Sequence, residues 1–190
     1  MRMITIAAYD MHVEQLFEKV KRLDAAMREA GLDYRVIGGV AVFFQVFDRD
    51  PGKARMTQDV DVSVRRQDLA TIAEVAEKHG FRYRQVAAVD MLVDAKNPRA
   101  STAIHLIFVG EKVRPEYVEP VPDFSEPTRT AEGVLLAPVA DLVRMKLTSF
   151  RLKDQVHVQD MDSVGLITPE VEASLSEVLR ARLAEVRAAE

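Results

Sequence analysis

In the stretch Asp59-Val60-Asp61-Val62-Ser63-Val64 a branched apolar residue alternates with a polar one. Period two is the spacing of a strand with one buried face, so Val60, Val62 and Val64 predict a core-facing row. Asp59 and Asp61 then share the opposite face. Upstream, "YRVIG" (34–38) reads as a short strand, and "GVAVFFQVF" after it is too apolar for its period to decide between strand and helix. A strand running straight into a second strand would leave the Gly38-Gly39 pair no turn to make. The pair therefore predicts a buried helix that opens at the glycines.

The rest of the chain extends this pattern. Val13, Leu16, Phe17, Val20, Leu23 and Met27 recur at three- and four-residue spacing, which predicts an amphipathic helix from Asp10 to Ala30 that ends at Gly31. "DLATIAEVAEKHG" predicts a helix with Asp68 as its cap and Gly80 at its end. "FRYRQV", "VDMLVDA" and "AIHLIFVG" predict three strands. Prolines 115, 120, 122 and 127 make residues 115 to 133 an irregular connection. Helical segments follow at 138–151, 153–164 and 169–187, the last with Thr168 as cap and Pro169 at its first position. This order predicts an α+β fold: a mixed β-sheet core with helices over residues 1–136, then a helical C-terminal appendage over 137–190.

Composition narrows the function classes. The chain has 190 residues and 48% hydrophobic content, enough for a core that folds alone. With 26 Lys and Arg against 30 Asp and Glu, the net charge is −4, so no global basic field draws in nucleic acid or an anionic membrane. An anionic substrate must be held by a local patch. The chain has no cysteine, which excludes a disulfide scaffold and a cysteine–zinc site. No window is long and apolar enough for a spanning helix, so the expectation is a soluble, cytoplasmic protein with no membrane partner.

Two carboxylates on one strand face repel each other unless one keeps a proton or a divalent cation sits between them, and Mg²⁺ prefers such hard oxygen ligands. A bare Asp-x-Asp is also found simply as a solvated strand face. Gly38-Gly39 at the start of a helix would let a phosphate approach backbone N–H groups at the helix's positive end, although a glycine pair after a strand also serves as a tight turn.

The order "VIGGVAVFF…RMTQDVDVSV" resembles the nucleotidyltransferase superfamily of the DNA polymerase β type. The spelling Arg55-x-Thr57-x-Asp59-x-Asp61 is most similar to its bacterial branch of abortive-infection toxins. The resemblance covers residues 34–64, and more loosely 140–162. It implies that Gly38, Gly39, Arg55, Thr57 and Lys146 face the nucleotide, and that Asp59 and Asp61 bind Mg²⁺, with Mn²⁺ as a substitute. The implied reaction moves a nucleoside monophosphate from a nucleoside triphosphate to an acceptor, either an RNA such as tRNA or a small hydroxylated molecule. A toxin-like role would bring an antitoxin protein as partner.

On a wheel of residues 139–150, Lys146 falls inside the apolar face formed by Val139, Leu142, Val143, Leu147 and Phe150. It either pairs with Asp160 as a buried stitch or projects into a cleft to meet phosphate charge. The run Arg151, Lys153, Asp154, then Asp160, resembles the same toxin branch. Arg49, Lys53, Arg55, Arg65 and Arg66 flank the Asp59–Asp61 strand, as loop solvation or as steering charge.

In the superfamily a third carboxylate normally stands on a later strand. Here the best-placed strand reads Ile104-His105-Leu106-Ile107, and Asp90 in "VDML" is the weaker claimant. His105 is either a core histidine or a general base facing Asp59 and Asp61. Imidazole is a poor Mg²⁺ ligand, so its presence also favours a second reading: a catalytically weak protein of this fold that binds nucleotide or a partner protein without transfer.

Overall fold

A computed structural model describes residues 6–57, 59–99 and 102–189, with side chains from residue 14 onward. In chain order the elements are α1 (Ile6–Glu29), β1 (Arg35–Ile37), α2 (Gly38–Arg49), β2 (Val60–Val64), α3 (Leu69–Lys78), β3 (Phe81–Val86), β4 (Val89–Asp94) and β5 (Ile104–Phe108). After them come β6 (Thr128–Arg129), β7 (Leu135–Leu136), α4 (Val139–Ser149), α5 (Leu152–Ser163), α6 (Pro169–Ala173) and α7 (Glu177–Ala188). This is the α+β architecture expected, a mixed sheet followed by a helical C-terminal part.

The seven strands lie in the order β3-β4-β5-β2-β1-β7-β6. β2 and β5 run parallel at the centre, β1 and β7 pair in parallel, and the other neighbours are antiparallel. Val60, Val62 and Val64 are fully buried, as their alternation requires. On the core side α1 packs on α3 and α3 on β3. α2 is the bridge, because it touches β1 and β2 as well as α4 and α5. One buried apolar cluster accordingly runs from Leu23, Val36 and Leu106 through Val40 to Leu142, Leu147, Met161 and Leu183.

Local departures from the sequence reading have local causes. The helix expected over 169–187 is two helices, because the Ser174 hydroxyl donates to the Val171 carbonyl at 2.7 Å and ends α6, while Leu175 turns into the core. Thr168 does cap α6, accepting from Val171 N–H at 3.4 Å, with Pro169 at its first position. Asp68 does not cap α3 with its side chain. It closes a 3-10 turn over Arg66–Asp68 that leads into the helix. α4 ends at Phe150, which adopts a left-handed conformation (φ 51°). Arg182 of α7 donates to the carbonyls of Leu147 and Thr148 at 2.7 and 2.9 Å, supplying the partners and the positive charge that a helix C-terminus lacks.

Candidate active site

The site begins at the end of β1. Gly38 has φ +70°, a conformation that side chains disfavour, and this turns the chain directly from strand into α2. The reason for glycine is steric as well. A Cβ at Gly38 would lie 2.2 Å from Oδ2 of Asp61, and one at Gly39 would lie 2.8 Å from Oγ1 of Thr57. The glycine pair thus makes room for the protein's own carboxylate and hydroxyl.

Asp61 pairs with Ile37 on one side and with His105 on the other. Paired residues project to the same face, so β2 and β5 bring the carboxylate and the imidazole together, with Nδ1 of His105 3.1 Å from Oδ1 of Asp61. That hydrogen bond raises the imidazole pKa above its ordinary value against the opposing effect of burial. His105 therefore stands on the cleft face and not in the core. Asp90 is in register with Leu106, on the other face from His105, and its carboxylate accepts from the Tyr83 hydroxyl and from Gln85 at 3.2 Å. It lies outside the cleft.

The opposite wall comes from α4, the left-handed corner at Phe150, and α5. Asp154 is fully buried and accepts from Lys146 at 2.9 Å, Ser149 at 2.7 Å and Arg151 at 2.6 Å. Burial alone would push this carboxyl up, but the Arg151 hydrogen bond and the Lys146 charge outweigh it and hold the group well below the usual range. Burial also draws the Lys146 ammonium down, with Asp154 opposing. The partner of Lys146 is thus Asp154. Asp160, the partner considered from the sequence, instead accepts twice from Arg55 Nε at 2.9 Å.

Between these walls lies a cleft of about 420 Å³, lined by Gly38, Asp59, Asp61 and His105 on the sheet side and by Lys146, Ser149, Arg151, Lys153 and Asp154 on the helical side. Gly39 and Thr57 pack behind it, against each other. Arg55 points away, beside Lys53, which donates to the Ser163 carbonyl at 3.0 Å. These two residues clamp the turn after α2 to α5. Arg65 reaches Asp123 at 3.4 Å, and Arg66 is bidentate on Glu111 and stacked 3.6 Å over the Phe108 ring. Neither lines the cleft. Sequence reasoning missed Arg114 and Tyr117, which reach the cleft from the irregular segment after β5. The only signal for them was a charged and an aromatic residue in a stretch without period.

The donor set does not match the pair of Mg²⁺ ions that the resemblance implies. Two carboxylates line the cleft, but one is engaged by an imidazole, and no group of three His, Asp or Glu suited to a metal ion is found among the described residues. Among the described residues no helix is long and apolar enough to cross a membrane.

No family model matches the chain, and a search of curated proteins finds no significant match. Solved structures do resemble it. The antibiotic-resistance factor ANT(2″)-Ia in solution superposes with a TM-score of 0.53 at 15% identity, covering 93% of this chain and 95% of that one. The crystal structure of ANT(2″)-Ia in complex with adenylyl-2″-tobramycin gives 0.52 at 14% identity, covering 93% and 98%. An antigenic nucleotidyltransferase-like protein from Paracoccidioides brasiliensis gives 0.56 at 19% identity, covering 91% and 88%. At these identities the likeness is one of fold: the chain shares the overall fold of ANT(2″)-Ia and of the nucleotidyltransferase-like protein, a mixed sheet with a helical C-terminal part.

Proposed function

We propose that the protein binds a nucleoside triphosphate in the cleft between the sheet and the α4–α5 corner, and that it is a weak transferase or none. One observation carries this reading: His105, on the strand where the resemblance implies a third carboxylate, is hydrogen-bonded to Asp61 at 3.1 Å. A charge-assisted bond of this kind commits a carboxylate that metal-assisted transfer needs as a ligand. The same bond screens Asp61 from an incoming polyanion. Phosphate charge is met from the helical wall by Lys146, Arg151 and Lys153, all of which line the cleft. On this reading residues 1–136 and 137–190 supply the two walls.

Transfer to an acceptor is the competing outcome. ANT(2″)-Ia, of similar fold, has been seen with adenylyl-2″-tobramycin, which makes a small hydroxylated acceptor worth testing beside RNA. A toxin-like role with an antitoxin partner would require transfer to an RNA such as tRNA. Titration calorimetry with each triphosphate, with and without Mg²⁺ or Mn²⁺, is expected to show saturable binding that needs no metal. Parallel incubation with α-labelled triphosphates and total RNA, or with an aminoglycoside, is expected to leave the acceptor unlabelled. Label on either acceptor, dependent on Asp59 and Asp61, would overturn the binding-only reading.

A further inference from the structure

The sheet side of the cleft changes character one pleat beyond the carboxylates. Asp61 and His105 are partners across β2 and β5, and the next pair on that face is Ser63 and Ile107. Met91 of β4 stands opposite His105, so continuing the antiparallel register sets Val89 beside Ile107. Both line the cleft. Two residues of strand place them roughly 7 Å from the Asp61–His105 pair.

The segment after β5 closes over this end. Its neck is fixed by two backbone bonds of 2.9 Å, Gly110 N–H to the Val121 carbonyl and Val121 N–H to the Glu111 carbonyl. Its return limb is tied down by Glu119, which accepts from the Ser176 hydroxyl at 2.6 Å and lies 3.7 Å from Arg144. A loop held at neck and limb presents Val113 and Tyr117 to the cleft. Val113 is 50% exposed and Val89 41%, and both line the cleft. The Tyr117 hydroxyl makes no hydrogen bond among the described residues, and the ring is only partly covered.

We propose that this end is a nucleobase shelf, on which the base of a bound nucleotide lies against Val89 and Ile107 with the ring of Tyr117 over its face, while its phosphates meet the α4–α5 wall. The inference rests on the nucleotide-binding reading above and adds the part of the nucleotide that the sheet end recognises. The shelf is apolar and aromatic, which suits a planar ring with a π-face, and it tolerates any of the four bases because stacking does not read hydrogen-bonding edges. Arg114, on the same loop, is placed to add a cationic contact at the rim.

The test compares ATP with inorganic tripolyphosphate, which carries the phosphates without the base. The full chain, Tyr117→Ala and Tyr117→Phe are titrated with both by calorimetry. Wild type is expected to bind ATP more tightly than tripolyphosphate. Tyr117→Ala is expected to weaken ATP about tenfold while leaving tripolyphosphate unchanged, and Tyr117→Phe to keep both affinities. Val89→Ser, on a different element, is expected to repeat the selective loss. Equal ATP and tripolyphosphate affinity in wild type, or a Tyr117→Ala effect that is absent or equal for both ligands, would overturn the shelf while leaving nucleotide binding in place. Failure of wild type to bind either ligand would overturn the nucleotide-binding reading itself, and the shelf with it.

Discussion

A Cβ placed on Gly38 would stand 2.2 Å from Oδ2 of Asp61, so the first residue of α2 and the central carboxylate of the cleft compete for one volume. Gly38→Ala must therefore displace Asp61 as well as hold alanine at φ +70°. The backbone term alone costs ~1–2 kcal/mol. The expected result is a loss of at least about that size in chemical denaturation of the free protein, with Asp61→Gly recovering part of it in the double variant. If the glycine served only an incoming phosphate, free-protein stability would fall by the backbone term alone and the two substitutions would be additive.

Lys146 and Asp154 are not equivalent partners. Asp154→Asn leaves the Lys146 ammonium buried without a counter-charge and replaces one of the two oxygens shared by Lys146, Ser149 and Arg151 with an NH₂ donor, and breaking a buried pair in this way costs about 3–5 kcal/mol. Lys146→Met leaves Asp154 with both remaining donors and fills the same volume with an apolar stem. The expected order of denaturation midpoints is wild type, then Lys146→Met, then Asp154→Asn. Lys146→Met is also expected to weaken tripolyphosphate binding.

Val86-Ala87-Ala88-Val89 joins β3 to β4 by a two-residue turn in which both alanines have positive φ, 48° and 65°. Such a turn favours Asn-Gly, and alanine pays a steric cost at each position. Ala87→Asn with Ala88→Gly is expected to raise stability by about 1 kcal/mol, read as a higher denaturant midpoint at unchanged slope.

Two histidines oppose each other in pH dependence. Burial, with the Lys146 charge second, lowers His157 to about 4 from 6.5. Its unfolded form takes a proton first, so its stabilising contribution is present above pH ~6.5 and is lost as pH falls towards 4. His105 is raised by its Asp61 hydrogen bond, so its contribution is present below the ordinary value of 6.5 and is lost as pH rises through the folded pKa. Thermal melts are expected to peak near pH 6.5. His157→Gln should flatten the acid limb only, and His105→Gln the alkaline limb only.

Much of the fold was legible because period carries it. The Val60–Val62–Val64 alternation placed β2, and the glycine pair, which needs a turn after the strand, placed the start of α2. The long-range pairings were not legible. A helical wheel put Lys146 among apolar neighbours and offered Asp160 as its partner, whereas the left-handed corner at Phe150 brings Asp154 to it instead. Arg55 has the right spacing for the cleft, yet its charge is taken by Asp160, 105 residues away, a contact that no local pattern encodes. Tyr117 was hidden for the opposite reason: its segment has no period, and its place is set by the bonds that close the loop neck.

The buried carboxylate of Asp154 has one more consequence, for how such a chain changes over generations. Because it serves Lys146, Ser149 and Arg151 together, Asp154 cannot drift alone without leaving the buried Lys146 charge stranded. Relatives that keep this corner are expected to keep all four residues as a block, and lineages that abandon it to replace the block with apolar side chains in a few closely spaced steps. The interior of the corner then records whether a lineage still uses the charged wall, even where the strand carboxylates have been remodelled.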